Sequence, residues 1–221
     1  MTTKKTARLA GISYLFIIIF GIFSHKIARG SIVISGDAVS TAKNILNNEA
    51  LFRMSIVSDF LMVLSYFTLG VLLYFLFKAT NKKWAVTLLL LNVIGSSMMA
   101  INMLNQFAAL YVLSGAPYLN VFDSSQLQAL SLFYMNLHNI GYNTATISYG
   151  LWLLPLGYLG LKSKYFPKVI SYLLMIGAAT YMIYFFGQIL GVKIASDITI
   201  PADLGEFSLC LWLLVKGVKE I

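Results

Sequence analysis

Six apolar stretches divide this chain, at residues 9–23, 54–77, 84–113, 134–161, 169–190 and 204–215. About 20 apolar residues in a row make a helix long enough to cross a hydrocarbon core about 30 Å thick. Inside lipid such a helix satisfies its own backbone hydrogen bonds. The connections left between the stretches are too short for a folded soluble module. The expected fold class is therefore all-α: a polytopic transmembrane helix bundle of six spans, with residues 1–221 forming a single integral membrane domain. Composition agrees, since 59% of the residues are hydrophobic and 11% are charged, against about 25% charged in a soluble domain. Lys4, Lys5 and Arg8 precede the first stretch as in a secretory signal. The following "SHKIARG" lacks a small-x-small cleavage site, so the stretch reads as an uncleaved first span.

The net charge of +8 is explained by its distribution. Lys4, Lys5, Arg8, Lys78, Lys82, Lys83, Lys162, Lys164, Lys168, Lys216 and Lys219 fall on one side of the expected membrane; Lys26, Arg29, Lys43, Arg53 and Lys193 fall on the other. A bias of 11 to 5 makes the first side cytoplasmic, with both termini inside and the protein in the cell's inner (plasma) membrane. Anionic lipid headgroups favour such basic clusters. The charge therefore calls for no nucleic-acid partner.

Two connections carry structure of their own. In the first outer one, "SGDAVSTAKNILNNEALFR", Ser35 or Asp37 can cap a helix on which Val39, Ala42, Ile45, Leu46 and Phe52 recur at helical spacing. That pattern predicts a short amphipathic helix leading into the second span. From Asp123 to Lys162 the chain runs 39 residues, about 58 Å if it were one helix. Either the helix projects beyond the membrane, or "DSSQLQALSLFYMN" bends across the surface, with Asp123, Ser124 or Ser125 as its cap. Pro155 withholds a donor from the Leu151 carbonyl, which predicts a kink.

Ionisable groups inside spans are costly, about 2.5 to 3.5 kcal/mol each at a helix centre, so they mark candidate sites. Asp59, Asn102 and Asn143 each lie 19 residues from a basic-side lysine, roughly 28 Å up a helix. Gln188 falls near 30 Å, His138 near 36 Å and Glu206 at roughly 15 to 20 Å, the carboxylate closest to the midplane. Tyr66 shares a helical face with Asp59. The candidate pocket is therefore Asp59, Glu206, His138, Asn102, Asn143, Gln188 and Tyr66, with Asn102, Asn143 and His138 as the expected partners of Asp59. The competing reading leaves Asp59 in a wet rim at the end of its span. Arg53 lies six residues from Asp59 and faces away from it; Glu49, four residues before Arg53, is the expected ion-pair partner.

Two histidines, His25 and His138, without paired spacing predict neither a metal site nor a haem, and no cofactor is expected. Cys210 stands alone inside the last stretch, so no disulfide is expected. An outward-facing polar pocket that binds or transports a small molecule or ion is the leading functional reading. A membrane-embedded enzyme using Asp59, His138 and Glu206, and an accessory membrane subunit without chemistry, are the alternatives. The lipid bilayer is the one partner the composition requires, and no pattern specifies an oligomeric state.

Three stretches, "FRMSIVSD", "HNIGYNTATISYGLWLLPLGYLGLKSKYFPKVI" and "GEFSLCLWLLVKGVK", resemble the prokaryotic integral membrane proteins of domain-of-unknown-function family 4386. The resemblance covers nearly the whole chain and implies a six-helix membrane protein. It transfers no catalytic or ligand residue. Arg53, Asp59, His138 and Glu206 lie inside the stretches that carry it.

Overall fold

A computed structural model describes residues 3–218, among which no strand occurs. In chain order the helices are α1 (Thr3–Gly21), a π-helical segment (Ile22–Arg29), α2 (Gly30–Ile32), α3 (Ala38–Asn47), α4 (Glu49–Phe77), α5 (Lys82–Tyr111), α6 (Ser124–Leu151), α7 (Leu153–Ser163), α8 (Lys168–Ile189) and α9 (Ile200–Val215). Short 3-10 turns at Pro117–Val121 and Ser196–Thr199 precede α6 and α9. Lys219, counted above with the basic side, lies outside the described residues.

Five helical runs are long and apolar enough to cross a membrane: Thr3–Ile32, Glu49–Phe77, Lys82–Tyr111, Lys168–Ile189 and Ser196–Val215. The expected fourth span falls on α6 and α7, which Trp152 divides. Its break follows from Pro155, which has no N–H for the Leu151 carbonyl; the Leu156 amide still reaches the Trp152 carbonyl at 3.2 Å, so the axis resumes at once.

The segment before this span does not bend across a surface. It is helix from Ser124 onward, about 42 Å for the 28 residues of α6. Asp123 starts it with a reciprocal cap: its Oδ1 accepts from the Gln126 amide at 2.9 Å and from the Ser125 hydroxyl at 2.6 Å, while Gln126 Oε1 accepts from the Asp123 amide at 2.9 Å. Two orphan donors are thereby satisfied together.

The chain divides into two compact units. One draws on Met1–Phe16, Leu64–Ser97 and Asn143–Ile221, the other on Ile17–Val63 and Met98–Tyr142. In the first, α8 packs between α7 and α9. Small residues allow this closeness: a Cβ on Gly157 would meet the Ser171 carbonyl of α8 at 2.7 Å, and one on Gly177 would meet the Ala202 backbone of α9 at 2.5 Å.

In the second unit, Ile32, Ile45, Phe52, Ile56, Ala109, Leu110 and Met135 form the apolar core. The amphipathic helix α3 joins it through Ile45; Ala42 is buried too, whereas Val39 and Leu46 stay exposed. Gly36, at φ +77°, turns the chain into the Asp37 cap in a backbone region that disfavours other residues. Arg29, counted above as a connection charge, is 6% exposed within the π segment. Without it the basic bias becomes 11 to 4.

Asp37 Oδ1 accepts from the Ser40 amide at 2.9 Å, and the Ser40 hydroxyl donates to Oδ2 at 2.6 Å. These bonds hold the Asp37 carboxyl below its ordinary range. A carboxyl lowered by folding stabilises α3 fully above the unfolded value and loses that contribution as pH falls through the folded one. Amide exchange across Ala38–Asn47 should therefore accelerate between about pH 6 and about pH 2, relative to α5. Asp37→Ala should make α3 exchange fast at both ends of that range and remove the pH dependence.

Candidate functional site

The polar centre of the second unit begins with the π segment "IFSHKIAR". On an α-helix, residues five apart point about 140° away from each other; a π-helix closes its turn from i to i+5 and brings them into register. Ser24 and Arg29 are five apart, and Arg29 Nη2 lies 3.5 Å from Ser24 Oγ. Both reach Asp59 of α4, which is 0% exposed. Arg29 Nη1 donates to Asp59 Oδ2 at 2.5 Å and Nη2 reaches Oδ1 at 3.4 Å, while the Ser24 hydroxyl donates to Oδ1. A forked guanidinium on a carboxylate is the charge-assisted geometry that retains its strength away from water.

From Asp59 the network runs into α5 and α6. Gln106 Oε1 takes Arg29 Nη1 at 3.4 Å, so its amide nitrogen faces Asp59 Oδ2 at 2.5 Å and His138 Nε2 at 3.1 Å. A nitrogen with two hydrogens can serve Asp59 Oδ2 and, in the tautomer that leaves it bare, His138 Nε2. His138 Nδ1 lies 3.2 Å from Asn102 Nδ2 and 3.5 Å from the Asn102 backbone carbonyl. Asn102 in turn donates to the His138 carbonyl at 2.9 Å and accepts from Asn105 Nδ2 at 3.0 Å. Seven polar side chains thus share one connected network, whose single carboxylate is matched by its single guanidinium.

Beside it lies a cavity of about 220 Å³ whose polar lining is His25, Arg29, Ser35, Asn136 and Asn139, against apolar Val33 and Met135. His25 Nε2 is 3.9 Å from Asp59 Oδ1 and has no hydrogen-bond partner among the described residues. Its ring meets the edge of Tyr142 at 4.7 Å. Arg29, held by Asp59, is thus also among the residues that line the cavity.

The expected pocket is regrouped. Asp59, His138 and Asn102 share the network, but Asn102 contacts His138 rather than Asp59. Asn143 belongs to the other unit, where its carbonyl accepts from the Thr146 hydroxyl at 2.6 Å. Gln188 is exposed. Glu206 accepts from the Tyr14 hydroxyl at 2.7 Å, and Tyr66 packs edge-on against Tyr149 and Trp152 at 5.0 and 5.1 Å, both in that first unit. Asp59 lies in no wet rim, since its carboxylate has no solvent contact. Arg53 Nε donates to Glu49 Oε1 at 2.6 Å, with both side chains exposed.

Sequence reasoning missed Arg29, Ser24 and Gln106 as the partners of Asp59. Helical periodicity separates Ser24 from Arg29, and only the π turn joins them. The available signal was chemical: a carboxylate inside one span requires a base, and Arg29 stands at the end of the preceding one.

Asparagines of α5 also key into glycines of neighbouring helices. A Cβ on Gly141 of α6 would run into the Asn102 amide, and one on Gly70 of α4 into the Asn92 amide. Each asparagine donates at 2.9 Å to a carbonyl one turn earlier on the glycine's helix, that of His138 and that of Tyr66.

A family described as "Domain of unknown function (DUF4386)" matches residues 9–217. A protein of Archaeoglobus fulgidus, bearing the name "Uncharacterized protein", is 28% identical over 165 residues, which cover 75% of this chain and 85% of that relative. No solved structure matches.

The Asn102–Gly141 contact predicts a compensated pair. Gly141→Ala alone should lower unfolding stability by about 1–3 kcal/mol through overpacking, measured by thermal unfolding in detergent. In an Asn102→Ala background, which removes the obstructing amide, the same substitution should cost a fraction of that.

Proposed function

The chain belongs to the DUF4386 family of membrane proteins, and from that premise we propose that it binds a small polar solute or ion in the cavity beside Arg29. One observation carries this reading: a buried arginine, fixed by Asp59, is also a lining residue of a polar cavity. Locking the guanidinium in place beforehand lowers the ordering cost of binding. Hydrogen-bonding side chains at His25, Ser35, Asn136 and Asn139 can complete a solute's shell, and a cavity of about 220 Å³ is smaller than the sites that hold drug-sized ligands.

The basic-side bias supports a placement in the plasma membrane with cytoplasmic termini. The cavity, at the end of the first span away from Lys4, Lys5 and Arg8, then opens outward. Solute passage across the membrane would need a second opening and is the less supported form of this reading. An enzyme built on Asp59, His138 and Glu206 draws less support, because Glu206 has its own partner in Tyr14.

Thiol labelling tests this. With Cys210→Ser as background, His25→Cys should react with a membrane-impermeant thiol reagent added from outside intact cells, and Asn139→Trp should slow that reaction by filling the cavity. Absence of labelling at position 25, while a Val39→Cys control on the exposed face of α3 reacts, would refute a solute-accessible cavity.

A further inference from the structure

A second cavity of the same unit, about 470 Å³, is lined by two facing stripes. Leu46, Glu49 and Arg53 supply one where α3 runs into α4; Phe107, Leu110 and Ser114 supply the other at the end of α5. Glu49 and Arg53 share a face of α4, as Phe107 and Leu110 do of α5; Leu46 joins from the end of α3, and Ser114 from the turn after α5.

The position of this groove along its helices selects its occupant. Arg53 is 25 residues from Lys78 along α4, and Phe107 is 24 residues from Lys83 along α5, so both stand roughly 37 Å from the basic end. A hydrocarbon core spans about 30 Å, and about 40–45 Å with the headgroup layers. With the lysines at one interface, the groove lies at headgroup depth on the opposite one. Its walls divide to match: Leu46 and Phe107 are exposed apolar surface, while Glu49 and Arg53 place opposite charges side by side at the rim. Arg53 engages Glu49 through Nε, leaving its terminal amino groups as a fork for phosphate. The second Glu49 carboxylate oxygen can accept from an ammonium.

We propose that this groove holds one membrane phospholipid with a zwitterionic, amine-bearing headgroup. The phosphate lies on Arg53, the ammonium on Glu49, and the first acyl carbons lie against Phe107 and Leu110. This site is independent of the solute cavity beside Arg29 and stands or falls separately from it.

Native mass spectrometry of the detergent-purified full chain, with equimolar phosphatidylethanolamine and phosphatidylglycerol, tests the assignment. One phosphatidylethanolamine should be retained in preference, by about threefold as expected for an exposed charge contact. Arg53→Ala and Glu49→Gln should each abolish the preference, and Ala108→Trp should displace the lipid. Soluble glycerophosphoethanolamine, which lacks acyl chains, should not compete. Equal retention of the two lipids, a preference unchanged by Arg53→Ala, or full competition by the free headgroup would each overturn the proposal. If Ala108→Trp loses helicity by circular dichroism, the two surface variants decide the outcome alone.

Discussion

The contact between Arg29 and Asp59 is the constraint around which the second unit is organised. Neither charge can be left alone in an apolar interior, where the effective desolvation cost is several kcal/mol per ion. Together they still require further hydrogen bonds, and the fold supplies these from separate elements. Ser24 and Arg29 come from the π segment, Asp59 from α4 and Gln106 from α5. Winding the end of the first span as a π-helix has a cost in ordinary helical packing. It is offset by placing a hydroxyl and a guanidinium on the same carboxylate.

Helix α5 carries further polar residues from that pair back toward Lys82. Asn92, Ser96, Asn102 and Gln106 are buried along it, and two of the four insert an amide over a glycine of an adjacent helix. With lipid outside, apolar burial gives little drive to helix association, so close approach and interhelical hydrogen bonds must supply specificity. An amide seated on a glycine provides both at once. The first unit adds a different solution, a glutamate held by the Tyr14 hydroxyl near a group of packed aromatic rings.

Much of the fold was legible in hydropathy alone, because the bilayer admits few architectures. Spans, the short connecting helix before α4 and the Pro155 interruption each follow from a local rule with one outcome, and of the two caps offered, Ser35 and Asp37, the chain uses Asp37. The candidate site was legible only in part. Asp59 and His138 stood out as polar groups where polarity is costly, and both are in the network. Assigning partners by height along ideal helices grouped Asn143 with Asp59 and treated Arg29 as a loop charge. Height gives no azimuth, and the fall in hydropathy after Phe23 looks like the end of a span when it is a helix continuing in another winding. Gln188 and Glu206 show the same limit: equal or intermediate depth does not bring side chains together.

A double-mutant cycle on Arg29 and Asp59 tests the central claim most directly. Arg29→Gln and Asp59→Asn, singly and together, would be followed by thermal unfolding in one detergent. Each single substitution should cost about 3–5 kcal/mol by leaving the other charge buried and unpaired. The double should cost little more than one single, giving a coupling of about 3 kcal/mol. Single costs that simply add, with no coupling, would contradict the account.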